Sequence, residues 1–183
     1  MMKKRGKLII FEGVDNVGKT TLSGKLEQHL LGENIACVRY SFPGKDENTL
    51  GKLVYDLHHD QRSKIKQNLT ESSLQLLHVA AHINQIELEI LPSLKDGKIV
   101  ILDRYWWSTV TYGKAANVSD RLLKKMVELE RVCWKRVKPD HAFLIERLGD
   151  SSPANLLLIQ SYRDLLEEEK KRHEAVIIDS SGN

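Results

Sequence analysis

Apolar residues follow two alternating patterns along this chain, and each pattern predicts a different kind of secondary structure. Five short runs are almost continuously apolar, which is typical of parallel strands covered on both faces. Between them lie segments with the pattern of amphipathic helices. The strand-like runs are residues 8–11, 35–40, 99–102, 141–145 and 175–178, and the helical segments are residues 20–31, 48–58, 71–91, 120–135 and 155–173.

Several helical segments carry start or stop signals at their ends. Gly32 follows the first segment, Pro92 is predicted to end the third, and Ser119 and Pro153 precede the fourth and fifth. Such an alternation of strands and helices predicts a parallel sheet with right-handed crossovers. Ligands bind these sheets at the carboxyl ends of the strands, so we expect the functional site there.

Length and composition narrow the class of protein. The 183 residues fit one hydrophobic core, so we predict a single domain over residues 1–183. With 28 basic against 25 acidic side chains, the net charge of +3 is too small to predict a nucleic-acid partner. The apolar run near the start is too short for a signal peptide, and no apolar run in the chain is long enough to predict a membrane span. Cys37 and Cys133 lack metal or redox spacing, which favours a reducing, cytoplasmic location.

A glycine-rich loop follows the first strand-like run. Residues 13–20 read Gly-Val-Asp-Asn-Val-Gly-Lys-Thr and match G-x-x-x-x-G-K-[ST], the loop that wraps a nucleotide's phosphates. Gly13 and Gly18 permit backbone conformations in which the loop N–H groups point inward around an anion. The helix that follows adds the positive end of its dipole. A chance glycine turn is the alternative, and the flanking strand and helix argue against it.

The side chains of this loop suit the chemistry of ATP and Mg²⁺. Lys19 supplies a mobile charge for the β and γ phosphates, and the Thr20 hydroxyl is a natural Mg²⁺ ligand. The residues predicted to bind the ATP cofactor are Gly13, Asn16, Val17, Gly18, Lys19, Thr20 and Thr21.

A second group of candidate residues follows the third strand-like run. Asp103 ends that run, where a carboxylate beside a phosphate loop can hold Mg²⁺ through water; a simple turn aspartate is the alternative. Arg104 follows, and its guanidinium can grip a phosphate with two parallel hydrogen bonds. In the aromatic run after it we expect at least one of Trp106 and Trp107 in the core, whereas Tyr105 is a candidate wall of a sugar pocket.

These motifs together resemble those of a known family. Residues 11–21, the pair Phe42-Pro43, and Asp103-Arg104-Tyr105 followed by Ser108 are similar to the motifs of thymidylate kinases, in matching order over roughly residues 7–147. The resemblance implies ATP-dependent phosphorylation of a deoxynucleoside monophosphate. It also implies a P-loop three-layer α/β sandwich, with a five-stranded parallel sheet of order 2-3-1-4-5 and helices on both faces. Its partners would be small nucleotides, with a homodimer as one option.

The resemblance also assigns roles to individual residues. Asp15 would lie near the acceptor's sugar and phosphate, Arg104 would hold the acceptor phosphate, and Tyr105 would select against a ribose 2′-hydroxyl. The predicted acceptor site comprises Asp15, Phe42, Lys45, His78, His82, Arg104, Tyr105 and Ser108. The predicted catalytic residues are Lys19, Asp15, Arg104 and Arg147, and the predicted metal ligands are Thr20 and Asp103.

Several positions depart from the family pattern on the acceptor side. Lys45 stands where the family usually has arginine, which keeps the charge but loses the planar fork. The family's base-binding helix reads Leu-Leu-Phe-x-x-x-Arg, whereas this chain has His78 and His82 on one helical face. No third metal ligand is evident, so we favour histidines that line a pocket, with solvated histidines as the alternative. Gly113 stands where the family often has a Gln or Thr that touches the base, so the sequence leaves open which base the site accepts.

The lid that closes over the phosphates also departs from the family. Some members have an arginine where this chain has Asn16, and others carry arginines in a lid after the fourth strand. Here residues 147–153 run almost directly into the next helix, which predicts a shortened lid with Arg147 as its obvious cation and Arg163 as a distant second.

There are four alternatives to a thymidylate kinase-like enzyme. They are a nucleotide-binding module with little or no turnover, a kinase for a different pyrimidine nucleotide, a nucleoside kinase and a regulatory GTPase. A nucleoside kinase would have less use for Arg104 and Lys45, and no Asn-Lys-x-Asp guanine motif supports a GTPase.

Overall fold

A computed structural model describes residues 5–60, 62–147, 153–170 and 174–180 of the chain. These residues form one five-stranded sheet in which every pairing is parallel, in the order β2-β3-β1-β4-β5. The predicted strand order is therefore confirmed. The strands are β1 (Leu8–Glu12), β2 (Cys37–Ser41), β3 (Ile99–Asp103), β4 (His141–Glu146) and β5 (Glu174–Asp179).

Helices fill the connections between the strands. They are α1 (Lys19–Gly32), α2 (Leu50–His59), α3 (Lys64–Gln67), α4 (Glu71–Gln85), α5 (Leu91–Lys95), α6 (Trp106–Ala115), α7 (Asp120–Cys133) and α8 (Pro153–Glu169). No helix in the part of the chain that the structure describes has the length and apolar character needed to cross a membrane.

Strand register brings the candidate residues to one edge of the sheet. Asp103 at the end of β3 pairs with Phe11 of β1 on one side and with Ser41 of β2 on the other. The three strands therefore end at nearly the same level. Because parallel strands share their carboxyl edge, the segments that follow them leave the sheet side by side.

The prediction that Pro92 ends the third helix is wrong. The helix continues from α4 through a five-residue π-helical turn, Ile86–Ile90, into α5, which ends only at Lys95. Pro92 lies in the first turn of α5, where a missing N–H and a fixed φ are tolerated. The helix therefore continues through the π-helical turn, and Pro92 lies at the start of its last segment, α5, instead of ending it.

The sequence pattern gave no sign of α6, which begins three residues after β3. Trp106, Trp107, Thr109 and Thr111 are all buried, so this helix is covered on several sides. A helix enclosed in this way has no polar stripe of helical period, and that period is the usual signal of a surface helix. Trp106 and Trp107 both lie in the core, which confirms the expectation that at least one of them does.

Candidate functional site

A cavity of about 750 Å³ opens at the carboxyl edge of the sheet. Most residues predicted to bind nucleotide line it, namely Asp15, Asn16, Gly18, Lys19, Thr20, Thr21, Phe42, Lys45, His78, His82, Asp103, Arg104 and Ser108. The cavity also has lining residues that the sequence did not single out, including Tyr55, His58, His59, Gln75, Thr109 and Tyr112. Its size falls in the range of small-molecule sites.

The glycine loop has the backbone geometry that its sequence requires. Gly13 and Gly18 have φ values of 136° and 96°, where a side chain is strained. A Cβ at Gly13 would lie 2.2 Å from the carbonyl oxygen of Ile145, so the loop packs directly against the end of β4. Gly18 immediately precedes α1, whose first N–H groups therefore begin at the cavity wall.

Lys19 is held close to this loop. Its side chain is buried, and Nζ donates a 2.6 Å hydrogen bond to the carbonyl oxygen of Val14. Burial and the nearby Arg104 charge lower the pKa of Lys19 to about 8. An anionic phosphate in the cavity would favour the charged ammonium and raise this pKa again.

Thr20 and Asp103 meet where α1 begins beside the end of β3. The Thr20 hydroxyl donates a 2.7 Å hydrogen bond to Oδ2 of Asp103, and both residues line the cavity. A hydroxyl and a carboxylate are hard oxygen donors of the kind Mg²⁺ prefers, and Mg²⁺ usually takes few protein ligands beside water and phosphate oxygens. The residues present therefore fit this ion.

Arg104 faces the loop from the start of the segment after β3. Its backbone has a positive φ of 77°, and its N–H donates a 2.8 Å hydrogen bond to the carbonyl oxygen of Phe11. The guanidinium donates through Nη2 to the Asp15 carboxylate and through Nη1 to Ser108 Oγ, the latter at 3.0 Å. Burial alone would raise the pKa of Asp15, but the Arg104 and Lys19 charges outweigh it and hold this pKa below its ordinary value.

Glu12 binds the residues that hold Arg104 in place, and it was not among the predicted site residues. Its carboxylate is fully buried and accepts hydrogen bonds from the Tyr105 N–H at 2.7 Å, the Ser108 N–H at 3.0 Å and the Ser108 hydroxyl at 2.8 Å. Burial raises the pKa of Glu12 to about 7, against the opposing effect of the Arg104 charge. A charged residue at the last position of an apolar strand was the available sequence signal.

Ser108 lies at the centre of a buried hydrogen-bond network. Its Oγ donates to Glu12, accepts from Arg104, and lies 2.8 Å from the hydroxyl of Tyr162, which is fully buried. The predicted acceptor-site residue Ser108 therefore lines the cavity and also fixes Arg104. Tyr162 comes from α8, far along the sequence, and no local pattern predicted its position.

Tyr105 does not lie where the predicted sugar contact requires. It is only 5% exposed, it is not part of the cavity lining, and its ring packs 5.3 Å from Trp134 and 5.9 Å from Trp106. Tyr112, from the helix that follows Tyr105, does line the cavity, and its hydroxyl donates a 3.1 Å hydrogen bond to Oδ2 of Asp15. Tyr112 lies on the face of α6 that carries Ser108, one turn further on.

Phe42 and His82 form a stacked pair in the cavity wall. Their rings lie 4.0 Å apart with an interplanar angle of 9°. Nδ1 of His82 is 3.0 Å from Oε2 of Glu130, and Glu130 is fully buried. His82 is therefore held from behind by a carboxylate and presents its ring face to Phe42.

His78 lies in a different environment from His82. Its Nε2 is 3.1 Å from Nδ1 of His58, which lies at the end of α2. Burial, together with the neighbouring His82, His58 and Arg104, lowers the pKa of His78 to about 3, so the ring is neutral at physiological pH. Within the described ranges, no set of three or more His, Cys, Asp or Glu side chains is arranged to hold a metal ion.

Lys45 is presented by the loop between β2 and α2. Its Nζ lies 4.7 Å from the centre of the Tyr55 ring, a cation–π distance, and both side chains line the cavity. The loop packs tightly on α2, because a Cβ at Gly51 would lie 2.0 Å from the Pro43 carbonyl oxygen.

Gly113 and Arg163 have other surroundings than the sequence predicted, and Arg147 borders residues outside the described part of the chain. Gly113 faces α7, since a Cβ there would lie 2.4 Å from a methyl carbon of Leu123, so its lack of a side chain removes no contact from the cavity. Arg163 is engaged by Glu146 through two hydrogen bonds of 2.8 and 2.6 Å. Arg147 is exposed directly after β4, and the rest of the predicted shortened lid, residues 148–152, lies outside the described residues.

Fold and site place the chain in the class of P-loop nucleotide kinases. A phosphate loop follows β1, an acid ends the neighbouring strand, and Arg104 adds a second cationic group beside Lys19 to the lining of the same cavity. Comparison with known proteins specifies the family. The family model for thymidylate kinase matches residues 11–180, and the chain belongs to the thymidylate kinase family.

Individual relatives agree with this family. A thymidylate kinase of Prochlorococcus marinus (strain NATL2A) is 34% identical over 149 residues, covering 78% of this chain and 67% of the relative. The thymidylate kinase of African swine fever virus is 30% identical over 176 residues, covering 94% of this chain and 62% of the viral protein. The crystal structure of thymidylate kinase from Ehrlichia chaffeensis matches with a TM-score of 0.76 and 26% identity, over 96% of this chain and 87% of that one. The chain thus spans about two thirds of the length of these sequence relatives.

Proposed function

We propose that the chain transfers the γ-phosphoryl group of ATP to a deoxynucleoside monophosphate, with thymidylate as the first candidate substrate. The observation that carries the proposal is the position of Arg104, which lines the same cavity as the phosphate loop and donates a hydrogen bond to Asp15 of that loop. One cavity therefore offers a site for a donor phosphate and a site for an acceptor phosphate. Family membership supports the same activity.

The donor end of the cavity is built from the loop and the start of α1. Lys19 and the loop N–H groups would bind the β and γ phosphates, with Gly13, Asn16, Val17, Gly18, Thr20 and Thr21 completing this part of the site. Thr20 and Asp103 would hold Mg²⁺. When bound, this ion neutralises charge on the β- and γ-phosphate oxygens.

The acceptor end is built from residues that come from three different segments. Arg104 and Lys45 would bind the acceptor phosphate, while Asp15 and Tyr112 lie where its sugar would follow. In the transfer, an oxygen of the acceptor phosphate forms a bond to the γ-phosphorus as the bond to the β–γ bridging oxygen breaks, and ADP leaves. The protein forms no covalent bond in this reaction. It would accelerate the transfer by positioning the two phosphates and by neutralising their charge.

The proposal also covers the setting in which the enzyme works. It includes small nucleotides as substrates in place of nucleic acid or membranes, a cytoplasmic location, residues 1–183 as one catalytic domain, and a homodimer as an option. Cys37 and Cys133 are free thiols, in agreement with a reducing compartment.

A second candidate, a nucleotide-binding module with little turnover, has one observation in its favour. Arg104 is the only arginine in the lining of the cavity as far as the chain is described, and Arg163 is engaged by Glu146. Phosphoryl transfer benefits from cations on the migrating group, so a shortage of them favours binding over turnover.

Turnover with a series of monophosphates separates the two candidates. The chain is incubated with MgATP and thymidylate, deoxyuridylate, deoxycytidylate or a purine deoxynucleotide, and ADP and the deoxynucleoside diphosphate are quantified together. We expect diphosphate formation that requires the pyrimidine monophosphate. Tight ATP and monophosphate binding with no diphosphate would instead establish the binding module.

A further inference from the structure

Four polar side chains in the cavity lining share one chemical property. His58, His78, Gln75 and Thr109 can each donate or accept a hydrogen bond, since a neutral imidazole, an amide and a hydroxyl carry both functions. The lining also contains groups of fixed polarity, namely Lys19, Lys45, Arg104 and Asp15. A monophosphate bound through its phosphate to Arg104 would extend its base toward the first group.

Gln75 and Thr109 lie next to each other in the cavity lining. Thr109 is 1% exposed, lines the cavity, and its Oγ1 has no hydrogen-bond partner among the described residues. Gln75 donates through Nε2 to the Thr109 carbonyl oxygen at 3.1 Å, which holds both residues next to each other.

The contact between His58 and His78 couples the protonation of the two rings. Only one of the facing atoms, Nδ1 of His58 and Nε2 of His78, can carry the shared hydrogen at their 3.1 Å separation. If His58 donates, neutral His78 must carry its own hydrogen on Nδ1; if His78 donates, its Nδ1 is a bare acceptor. His78 makes no other hydrogen bond to the described part of the chain, so its Nδ1 is left for a ligand.

We propose that the His58–His78 pair recognises the acceptor's base by exchanging tautomers together, so that the site takes pyrimidine deoxynucleotides with either a 4-oxo or a 4-amino group. This inference rests on the function proposed above. Thymine and uracil present an acceptor at position 4 and a donor at position 3, whereas cytosine presents the reverse. Whichever of these positions His78 meets, the polarity of its Nδ1 inverts when both rings change tautomer. The shared hydrogen passes from Nδ1 of His58 to Nε2 of His78, His78 releases its Nδ1 hydrogen to water, and exposed His58 takes up a hydrogen from water on Nε2.

Neutrality of both rings is needed for this exchange, and the surroundings of the pair supply it. Burial lowers the pKa of both histidines, and the Arg104 charge acts in the same direction on His78. The other charged and titratable groups that act on the two rings are His59, His82, Lys66, Glu71 and Asp15. His82 takes no part in the exchange, because its Nδ1 faces Glu130.

Nuclear magnetic resonance can observe the tautomers without any turnover. The full chain, labelled with ¹⁵N-histidine and saturated with ADP, is titrated with thymidylate or with deoxycytidylate, and long-range ¹H–¹⁵N spectra identify the protonated nitrogen of each ring. The His78→Gln variant assigns the signals of His78. We expect the hydrogen of His78 on opposite nitrogens in the two complexes. The same tautomer in both complexes would overturn the proposal, as would failure of one of the two nucleotides to bind.

A substitution at position 58 tests the same coupling through substrate choice. His58→Lys offers only donors, so it fixes the hydrogen of His78 on Nδ1 and should change the ratio of deoxycytidylate to thymidylate affinity by about 10- to 100-fold. His58→Gln can donate or accept, so it should keep the wild-type ratio within a few-fold. Exposed His29 on α1 provides the matched control, since His29→Lys adds the same charge outside the cavity.

Failure of the proposed kinase activity and failure of the tautomer proposal give different results. Binding constants from calorimetry report base choice even if no diphosphate forms, so absence of turnover contradicts only the proposed kinase activity. The tautomer proposal is overturned if His58→Lys changes affinity for both nucleotides equally. A thousandfold preference of the wild-type chain for one base would overturn it too, because a site with one fixed polarity behaves in that way.

Discussion

Glu12 and Ser108 are joined by two hydrogen bonds, one from the Ser108 N–H and one from its hydroxyl, at 3.0 and 2.8 Å. This link ties the last residue of β1 to the first turn of α6. It places the Ser108 oxygen where it accepts a hydrogen bond from Arg104. The residue that would hold the acceptor phosphate is therefore positioned by a buried carboxylate that itself does not reach the cavity.

The raised pKa of Glu12 predicts how stability depends on pH. Its folded-state pKa of about 7 lies above the ordinary value of 4.5, so the folded chain binds more protons between these two pH values than the unfolded chain does. The contribution of Glu12 to stability is therefore present below pH 4.5 and is lost as the pH rises to 7, on the order of 1–3 kcal/mol. Urea unfolding at several pH values measures this loss.

The Glu12→Gln variant serves as the comparison for this measurement. Glutamine has no carboxyl proton to lose and stays neutral, so the unfolding free energy of the variant should lack the decline that Glu12 produces. If the wild type and the variant show parallel pH profiles from 4.5 to 7, Glu12 does not titrate in this range.

Lys19 provides a second prediction that depends on pH. Because its pKa is about 8 and a bound phosphate favours the charged form, ATP affinity should be highest below pH 8 and decline as the pH rises above it. Binding near pH 8 should take up a proton, which calorimetry in buffers of different ionisation enthalpy detects. Lys19→Ala should weaken ATP binding by roughly 10- to 100-fold while the chain still melts cooperatively.

Exposed Lys25 on the same helix is the matched control for Lys19. Lys25→Ala removes an equal charge outside the cavity and should leave ATP affinity unchanged. Wild-type ATP affinity in a folded Lys19→Ala protein would contradict the assignment of the donor site.

Two tyrosines allow a direct test of which one faces the acceptor's sugar. Tyr112→Phe removes the hydroxyl that donates to Asp15 and should raise the KM for the monophosphate by about 3- to 10-fold, the loss of one net hydrogen bond. Tyr105→Phe should leave this KM unchanged, because Tyr105 packs against Trp106 and Trp134 outside the cavity lining. The reverse order of effects would restore the role that the sequence assigned to Tyr105.

The fold was open to prediction because its signals are local. Apolar runs of strand length alternate with helical segments, and the loop at residues 13–20 is a contiguous motif whose flanking elements follow from the same pattern. Two of the departures have clear physical causes. Pro92 is accommodated after a π-helical turn, and α6 is buried on several sides, so neither feature leaves a periodic signal.

The candidate site was predictable only in part. Asp103 and Arg104 follow an apolar strand directly, so their place at the sheet edge can be expected. Tyr162 and Glu130 come from helices distant in sequence, and only packing brings them to Ser108 and His82. His58 resembles a solvated residue at the end of an amphipathic helix, and its contact with His78 depends on how α2 packs against α4.

The shortage of cations near the migrating phosphoryl group leads to the last prediction. An arginine there can contribute on the order of 10³–10⁵ in rate in P-loop enzymes, and a closed lid also excludes water. Arg104 is the only arginine among the described cavity-lining residues, so we expect slow transfer with ATP hydrolysis as a side reaction. Formation of ADP and of the deoxynucleoside diphosphate, measured side by side, gives the coupling ratio.

Two arginine variants locate the cation that does act in this step. Arg147 is exposed directly after β4, so Arg147→Ala should lower kcat further with little effect on melting temperature. Arg163 is engaged by the nearly buried Glu146, so Arg163→Ala should lower the melting temperature and change kcat less than Arg147→Ala does. Tens of turnovers per second with ADP and diphosphate formed in equal amounts would contradict this account. Such a result would mean that a cation reaches the phosphoryl group from another part of the chain or from a second copy.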